Sequence, residues 1–280
     1  MTTHFGLIII GDEILSGKRA DKHLPKIIEL LSERGLLLSY ADYVGDDPER
    51  ITATLVRAFA AARTSGDVVF SCGGIGATPD DHTRQCAARA LGCGLALHPQ
   101  AQVLITERMR DTAKEQGTAF DPQRHDNIHR LDMGRFPQGA SIVPNPYNKI
   151  PGFSCAAGAG AVHFLPGFPV MAWPMVAWLL DTHYLKLHQS AAFAEHSVIV
   201  IGSMEAALTP LMVQLEAVHP GIKVFSLPSV EHPEFGRHIE LGVKGAPPLV
   251  ASAFAALLRG LAPFNVKLGP ELVRSSSALK

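Results

Sequence analysis

Apolar and polar positions form alternating blocks along the first two-thirds of the chain, and these blocks predict strands and helices in turn. Apolar-rich runs at 7–10, 36–44 and 68–71 are typical of buried strands, whereas apolar residues spaced three and four apart predict helices. Helices are predicted over 21–34, from Pro48 onward with Asp47 as the cap, and over 79–91. This βαβαβα order predicts an α/β fold whose mostly parallel sheet has helices on both faces.

The pattern is less regular between 98 and 188. A helix is predicted over 100–110, and the polar stretch 111–127, which has no clear period, is interpreted as a lid or an oligomer contact. Two returning strands, 141–143 and 161–165, and a long helix over 169–188 follow. His163 lies in the apolar run of the second strand, so we expect a buried, hydrogen-bonded core histidine.

The pattern changes after about residue 190 and predicts a second, small α+β domain. Its predicted elements are strands at 197–201, 222–227 and 237–243 and helices at 204–218 and 248–261, in the order βαββα. The predicted division is therefore a first domain over 1–189, a small α+β domain over 190–265 and a C-terminal tail over 266–280, frayed from 273 onward.

Composition excludes several classes of function. The 280 residues are 47% hydrophobic and carry a net charge of -1, so no global basic field would attract nucleic acid or an anionic membrane. The apolar run at 7–10 is too short for a signal peptide or a membrane span. The four cysteines lack CxxC or zinc-site spacing, and the expected location is a reducing cytoplasm.

Two glycine-rich loops that follow predicted strands carry the candidate chemistry. The first contains Gly11, Asp12, Glu13, Ser16 and Gly17, and the second contains Gly73, Gly74, Gly76, Thr78, Asp80 and Asp81. A strand that ends in glycines and opens a helix presents backbone N–H groups to a phosphate, and nearby carboxylates suggest a metal-bridged phosphate. Phosphoryl or diphosphate chemistry on a nucleotide-like ligand is the first hypothesis.

Asp81 also has a purely structural interpretation. Thr78 would cap the third helix, Pro79 would occupy its first position, and Asp81 at the third position would complete a capping box. The loop matches neither the lysine-bearing loop of nucleoside triphosphatases nor a dinucleotide fingerprint.

Several motifs in register resemble a known family. They are the two glycine loops, Val44-Gly45-Asp46-Asp47, Pro144-Asn145-Pro146 with Pro151-Gly152, and Leu165-Pro166-Gly167-Phe168-Pro169. Together, over about 5–187, they look like the MoaB/Mog molybdopterin-binding domain in the form found in the N-terminal half of CinA (competence/damage-inducible) proteins. The resemblance implies a three-layer fold. No CinA C-terminal amidase domain precedes the end at Lys280, so nicotinamide-mononucleotide deamidation is not implied.

Site residues follow from the resemblance, residue by residue. It assigns Gly73, Gly74 and Gly76 to phosphate contact, and it assigns Asp46 and Asp81 to an acidic pair associated with metal and catalysis. Asp12, Glu13 and Ser16 would line the opposite lip, with Gly11, Gly17, Thr78 and Asp80 in the same binding loops, and Asn145 would close the pocket. A divalent metal such as Mg²⁺ suits two aspartates at a crevice rim, because it prefers one or two carboxylates plus phosphate oxygens.

The chain departs from the family at two places. The family commonly reads Asn-Pro-x-Gly-Thr-Ala-Pro-Gly where residues 145–152 read Asn-Pro-Tyr-Asn-Lys-Ile-Pro-Gly, which leaves the substrate open. Asp21-Lys22-His23 stands where many relatives have Asp-Thr-Asn.

Three functions remain open. The CinA-like resemblance implies a metal-dependent pyrophosphatase acting on ADP-ribose or a similar nucleotide diphosphate. The alternatives are a molybdenum-cofactor transferase, which adenylylates molybdopterin or inserts molybdate, and a non-catalytic module that binds a pterin or nucleotide. The family also implies a homo-oligomer, a dimer or trimer. The sequence does not decide whether adenine or a pterin fills the pocket.

Overall fold

A six-stranded mixed sheet organises the first of two units. The computed structural model describes residues 3–188 and 194–275, and backbone contacts divide the chain at Leu187. The strands are β1 (Phe5–Ile10), β2 (Leu38–Val44), β3 (Val68–Cys72), β4 (Leu95–Leu97), β5 (Arg135–Pro137), β6 (Ser141–Val143), β7 (Gly152–Ala157) and β8 (Gly160–Leu165). The sheet order is β2-β1-β3-β8-β7-β6, with the first four strands parallel; β4 and β5 pair separately.

Helices cover both faces of this sheet and make three layers, as the sequence predicts. They are α1 (Asp12–Leu15), α2 (His23–Ser32), α3 (Pro48–Ser65), α4 (Thr83–Leu91), α5 (Pro99–Glu115), α6 (His125–Asp132) and α7 (Pro169–His183). Ile8 and Ile10 of β1 pack with α3, α4 and α5, whereas Leu7 and Ile9 pack with α2 and α7. Successive side chains of a strand point to opposite faces, so β1 is apolar throughout because both of its faces are covered.

Local capping sets two of the helix starts. The Asp47 side chain accepts hydrogen bonds from the N–H groups of Glu49 and Arg50, which fixes the start of α3 at Pro48 as predicted. The third helix differs: α4 begins at Thr83, so the prediction that Thr78 caps it and Pro79 opens it is wrong. The reason lies in the Asp81 carboxylate, which binds N–H groups of the preceding loop and not of the helix.

The interval between α4 and β8 contains more structure than its pattern indicates. Helix α5 runs to Glu115, α6 occupies the end of the supposedly irregular polar stretch, and β4, β5 and β7 were not predicted. The strands β4 and β5 have three residues each, which is too short for a period of two to be recognised.

The second unit is a four-stranded antiparallel sheet with two helices. Its elements are β9 (Ala194–Ile201), α8 (Glu205–Val218), β10 (Lys223–Ser229), β11 (His238–Gly245), α9 (Pro247–Leu261) and β12 (Lys267–Ser275), with sheet order β10-β11-β9-β12. The prediction of a tail is wrong over Lys267–Ser275, because these residues form β12, which pairs with β9. The rest of the predicted tail at its C-terminal end, 276–280, lies outside the described residues. The division between residues 189 and 190 stays a prediction.

Within the described residues, one helical segment, in the second unit, meets the length and composition of a membrane span. It is Pro247–Phe264, with mean hydropathy 1.3. Val250, Phe254 and Leu257 on this segment are buried in the core of the second unit. A helix that packs its apolar face into a protein core passes the same test, so the segment is weak evidence for a membrane.

His163 is buried and hydrogen-bonded, as predicted. Its Nδ1 lies 2.6 Å from Ser154 Oγ and its Nε2 lies 2.6 Å from Tyr184 Oη. Burial lowers the pKa of His163 from 6.5 to about 3.

This buried imidazole predicts a component of acid sensitivity. The folded pKa lies below the unfolded value, so the unfolded state binds the extra proton, and stability is lost as pH falls below 6.5. We expect His163→Gln to reduce the pH dependence of the unfolding free energy by up to about 1.4 kcal/mol per pH unit in that window. Urea unfolding at a series of pH values measures it, and parallel curves for the two proteins would contradict it.

Candidate functional site

A cavity of about 420 Å³ opens beyond the carboxyl ends of the parallel strands. Ile10 ends β1, Asp46 follows β2, Gly73 follows β3 and Pro166 follows β8, and all four line the cavity. Parallel α/β sheets bind ligands at this edge. The topology therefore brings together segments that are distant in the sequence.

The Gly73–Gly74 turn requires residues without a side chain. Both glycines have positive φ, +112° and +67°, which residues with a Cβ rarely adopt. A Cβ on Gly73 would meet the carbonyl oxygen of Ile10, and one on Gly74 would meet Thr83 Oγ1. Gly76 differs, because its φ is not positive and a Cβ there would meet Asp81 Oδ2 at 2.6 Å.

Asp81 holds the loop in shape. Its Oδ1 accepts the Gly76 N–H at 2.8 Å, and its Oδ2 accepts the Thr78 N–H at 2.8 Å and the Thr78 hydroxyl at 2.6 Å. In the described part of the chain, the N–H groups of Gly74, Ile75 and Ala77 have no acceptor. The loop therefore offers three backbone donors at the cavity wall, a suitable arrangement for an anion.

The Arg84 side chain stabilises the same loop by binding its carbonyl oxygens. Its guanidinium is buried and donates hydrogen bonds to the carbonyl oxygens of Ile75 and, at 2.8 Å, of Gly76. It forms no ion pair with any carboxylate among the described residues, and burial lowers its pKa. The negative charges of Asp81, which binds the same loop, and of Asp132 partly offset that of Arg84, so the unpaired N–H groups of the loop are the feature that favours an anionic ligand.

The opposite lip is acidic. The Asp46 side chain accepts the Asp12 N–H at 2.8 Å, and the Asp12 side chain accepts the Asp46 N–H at 3.1 Å. Burial raises the pKa of Asp46, and the negative charges of Asp12, Glu13 and Asp80 raise it further against the lowering effect of the Asp12 N–H. A cation at this lip would relieve the repulsion between these carboxylates.

These carboxylates could bind a metal ion only together with oxygen ligands from a bound molecule. No group of three or more His, Cys, Asp and Glu side chains in the described chain is placed to hold a metal ion. Both oxygens of Asp81 are used by the loop, whereas Asp46 Oδ1 accepts no hydrogen bond from the described residues. The donor set fits a cation that Asp46 shares with a ligand's phosphate oxygens, and it does not fit a metal held by protein side chains alone.

The remaining wall of the cavity is largely apolar. It is formed by Met133, Ile150, Pro151, Pro166, Phe168 and Met171. The segment that carries Gly167 is supported by His23, whose Nε2 lies 3.0 Å from the Gly167 carbonyl oxygen. Asp21 caps α2 through the N–H groups of His23 and Leu24, so the departure at position 23 places a histidine directly behind this wall.

Most of the predicted site residues meet at this cavity. Those that line it are Gly11, Glu13, Asp46, Gly73, Gly74, Gly76, Thr78, Asp80, Asp81 and Asn145. Asp12 acts through Asp46, and Ser16 and Gly17 end α1 away from the lining. Lining residues outside the predicted set include Arg19, Met133, Asn148, Ile150 and Met171. The substituted turn at 148–150 marked two of them, and no local signal marked Met133 or Met171.

Gly74 offers a direct test of the turn. Gly74→Ala is expected to weaken binding of a phosphate-bearing ligand about tenfold, since the added Cβ opposes Thr83 Oγ1 in a backbone conformation that costs of order 1–3 kcal/mol. Gly92→Ala is the matched control, because Gly92 has φ +68° and an added Cβ there contacts nothing within 4 Å. Calorimetry with ADP measures the effect, and equal affinities for the two variants would contradict it.

Fold and cavity together define a three-layer α/β domain whose glycine-rich loop presents unpaired backbone N–H groups at the carboxyl edge of its sheet. Residues 6–186 match the family described as "Probable molybdopterin binding domain", and the chain belongs to this family. The resemblance drawn from the sequence motifs is confirmed.

Relatives and a solved structure carry the CinA name. A CinA-like protein of Anaeromyxobacter sp. (strain K) is 33% identical over 164 residues, which cover 59% of this chain and 37% of that protein. A CinA-like protein of Anaeromyxobacter sp. (strain Fw109-5) is 33% identical over 217 residues, covering 76% of this chain and 49% of that protein. This chain thus spans less than half of the length of these relatives.

The crystal structure of the protein CinA with unknown function from Thermoplasma acidophilum is similar to the first unit. It has a TM-score of 0.53 and 27% identity, and the match covers 64% of this chain and 97% of that one.

Proposed function

We propose that the cavity binds a phosphorylated nucleotide-type ligand and that the protein hydrolyses a nucleotide diphosphate such as ADP-ribose. The observation that carries this proposal is the loop Gly73–Thr78, which offers three unpaired backbone N–H groups in front of the buried Arg84 guanidinium. These donors suit one phosphate, and the acidic lip at Asp46 lies on the same cavity for the second.

The residues that line the cavity support a defined set of roles in this reaction. The loop N–H groups hold and polarise one phosphate, and Asp46 orients the groups at the second phosphate through its free Oδ1. A divalent cation bound by Asp46 together with phosphate oxygens would neutralise charge on the diphosphate and lower the pKa of a bound water. Attack of water oxygen on one phosphorus breaks the P–O bond to the bridging oxygen, so ADP-ribose and water give AMP and ribose 5-phosphate.

A second candidate is binding of a phosphorylated pterin, with or without transfer chemistry. The family to which the chain belongs is described by molybdopterin binding, and the apolar wall of Met133, Ile150 and Met171 would accept a flat ring of either kind. In this case the same loop would hold the pterin's phosphate. Molybdopterin adenylylation and molybdate insertion are the corresponding reactions.

The experiment is a hydrolysis assay on the purified protein with ADP-ribose, flavin and nicotinamide dinucleotides, with Mg²⁺ and with a chelator. We expect AMP and ribose 5-phosphate from ADP-ribose, and loss of the reaction on chelation. Absence of cleavage across the panel together with tight binding of molybdopterin would overturn the hydrolase and favour the second candidate. A cytoplasmic location and a dimer or trimer stay predictions, the latter checked by sedimentation.

The acidic lip predicts the direction of a pH effect. The pKa of Asp46 lies above its usual 3.8, so the carboxylate forms, and activity rises, only as pH passes that higher value. Because a bound cation opposes the charges of Asp12, Glu13 and Asp80, raising the Mg²⁺ concentration is expected to move the acid limb of kcat/KM to lower pH. Glu13→Gln should move it in the same direction. An acid limb that neither change moves would count against a cation at this lip.

A further inference from the structure

The turn 145–150, where the chain departs from its family, is held rigidly by its own side chains. Asn145 is buried; its Nδ2 donates to Asn148 Oδ1 at 2.8 Å and to the Ile150 carbonyl oxygen at 2.9 Å, and its Oδ1 accepts the Tyr147 N–H at 3.0 Å. All of its hydrogen bonds stay within the turn, so Asn145 shapes the cavity wall and has little left for a ligand.

Lys149 anchors the turn to α5. It adopts a φ of +64°, which is uncommon for a residue with a Cβ. Its Nζ lies 2.8 Å from Asp111 Oδ2 and 3.6 Å from Glu107 Oε2, and these ion pairs raise its pKa. The anchoring holds the neighbouring Asn148 in one position at the cavity.

The orientation of the Asn148 amide is fixed because two N–H donors, from the Asn145 side chain and the Ile150 backbone, both require its oxygen. Its Oδ1 accepts the backbone N–H of Ile150 at 3.0 Å as well as the Asn145 amide. The NH₂ group must therefore point the other way, where Met171 Sδ at 3.6 Å is its only partner among the described residues. A thioether sulfur is a weak acceptor, so the amide offers N–H donors to the cavity that it lines.

We propose that Asn148 determines specificity by donating a hydrogen bond to a carbonyl oxygen on the ring of the ligand. Asn148 contacts Ile150 and Met171, which line the same cavity together with Met133, and a flat ring would pack against these apolar side chains. An N–H donor in an apolar wall favours a ring that presents a carbonyl oxygen, such as an oxopurine or a pterin, over one that presents an amino group, such as adenine. The inference rests on the proposed binding of a ring-bearing phosphorylated ligand, and it makes the oxopurine counterpart of ADP-ribose a better substrate than ADP-ribose itself.

Inosine 5′-diphosphate and ADP provide the test, because they differ at the 6-position of the purine, where one carries a carbonyl oxygen and the other an amino group. We expect the wild-type protein to bind inosine 5′-diphosphate about tenfold more tightly than ADP in calorimetry with Mg²⁺. Asn148→Asp keeps the Oδ that accepts from Asn145 and Ile150 and replaces the NH₂ by an oxygen, so the preference should reverse.

Control variants separate recognition from the shape of the turn. Asn148→Ala should remove the preference, whereas Tyr147→Ala should leave it intact, because the Tyr147 side chain is 60% exposed and does not line the cavity. Equal affinities of the wild-type protein for both nucleotides would overturn this inference and leave the proposed function standing. Failure of both nucleotides to bind the folded wild-type protein would overturn the two together.

Discussion

Asp46→Asn is expected to lower the rate of ADP-ribose hydrolysis by at least about a hundredfold while the fold is retained. The substitution removes the cavity-lining carboxylate that follows β2, whose Oδ1 accepts no hydrogen bond from the described residues. An amide oxygen can still accept the Asp12 N–H, so the local backbone should persist. The loss should fall on kcat more than on the affinity for AMP, since the glycine loop is unchanged.

Asp47→Asn is the matched control for this prediction. It removes one negative charge at the adjacent position, and asparagine caps helices as well as aspartate does, so α3 should still begin at Pro48. Hydrolysis by this variant should stay within about twofold of the wild type, because Asp47 does not line the cavity and is not among the charges that shift the Asp46 pKa. Equal activity of Asp46→Asn and Asp47→Asn would show that the acidic lip takes no part in the reaction.

The parallel half of the first sheet could be predicted because its elements are locally encoded. Strand β1 is apolar on both faces, and Asp47-Pro48 and Gly66 begin and end α3. Once the strands are parallel, their carboxyl ends must meet, and that places Asp46 and Gly73 at one edge. Local patterns and one topological rule were sufficient.

Asp81 could not be assigned in the same way. Thr-Pro-x-Asp is compatible with a capping box and also with a carboxylate that binds the preceding loop. The second arrangement is the one found, because Gly76 and Thr78 present N–H groups that would otherwise be unpaired and Arg84 holds the adjoining carbonyls. The choice depends on hydrogen bonds within a loop whose conformation the sequence pattern does not specify.

The apolar wall and the last strand were missed for different reasons. Met133 and Met171 come from segments nearly forty residues apart, and neither has a neighbour that marks it as a ligand contact. In β12 the pair Gly269-Pro270 interrupts the apolar pattern, and the register with β9 shifts between Leu268 and Glu271. Proline and glycine normally indicate loops, so an irregular strand of this kind is read as a tail.

Arg84→Met is expected to weaken ADP binding by at least about thirtyfold and to lower the free energy of unfolding by about 2–4 kcal/mol. Methionine fills a similar volume but leaves the carbonyl oxygens of Ile75 and Gly76 without their donors inside the protein. It also removes the positive charge behind the phosphate loop. Both losses act on the loop that is proposed to hold the phosphate.

Two comparisons distinguish this role from a general loss of structure. Binding of adenosine, which has no phosphate, should change by less than about twofold in Arg84→Met, and Arg84→Lys, which keeps the charge, should recover part of the ADP affinity. Arg89→Met on the exposed side of α4 is the matched control and should leave the affinity for both ligands unchanged. Equal weakening of ADP and adenosine by Arg84→Met would mean that Arg84 stabilises the whole cavity, and the loop would then lose its assignment as the phosphate site.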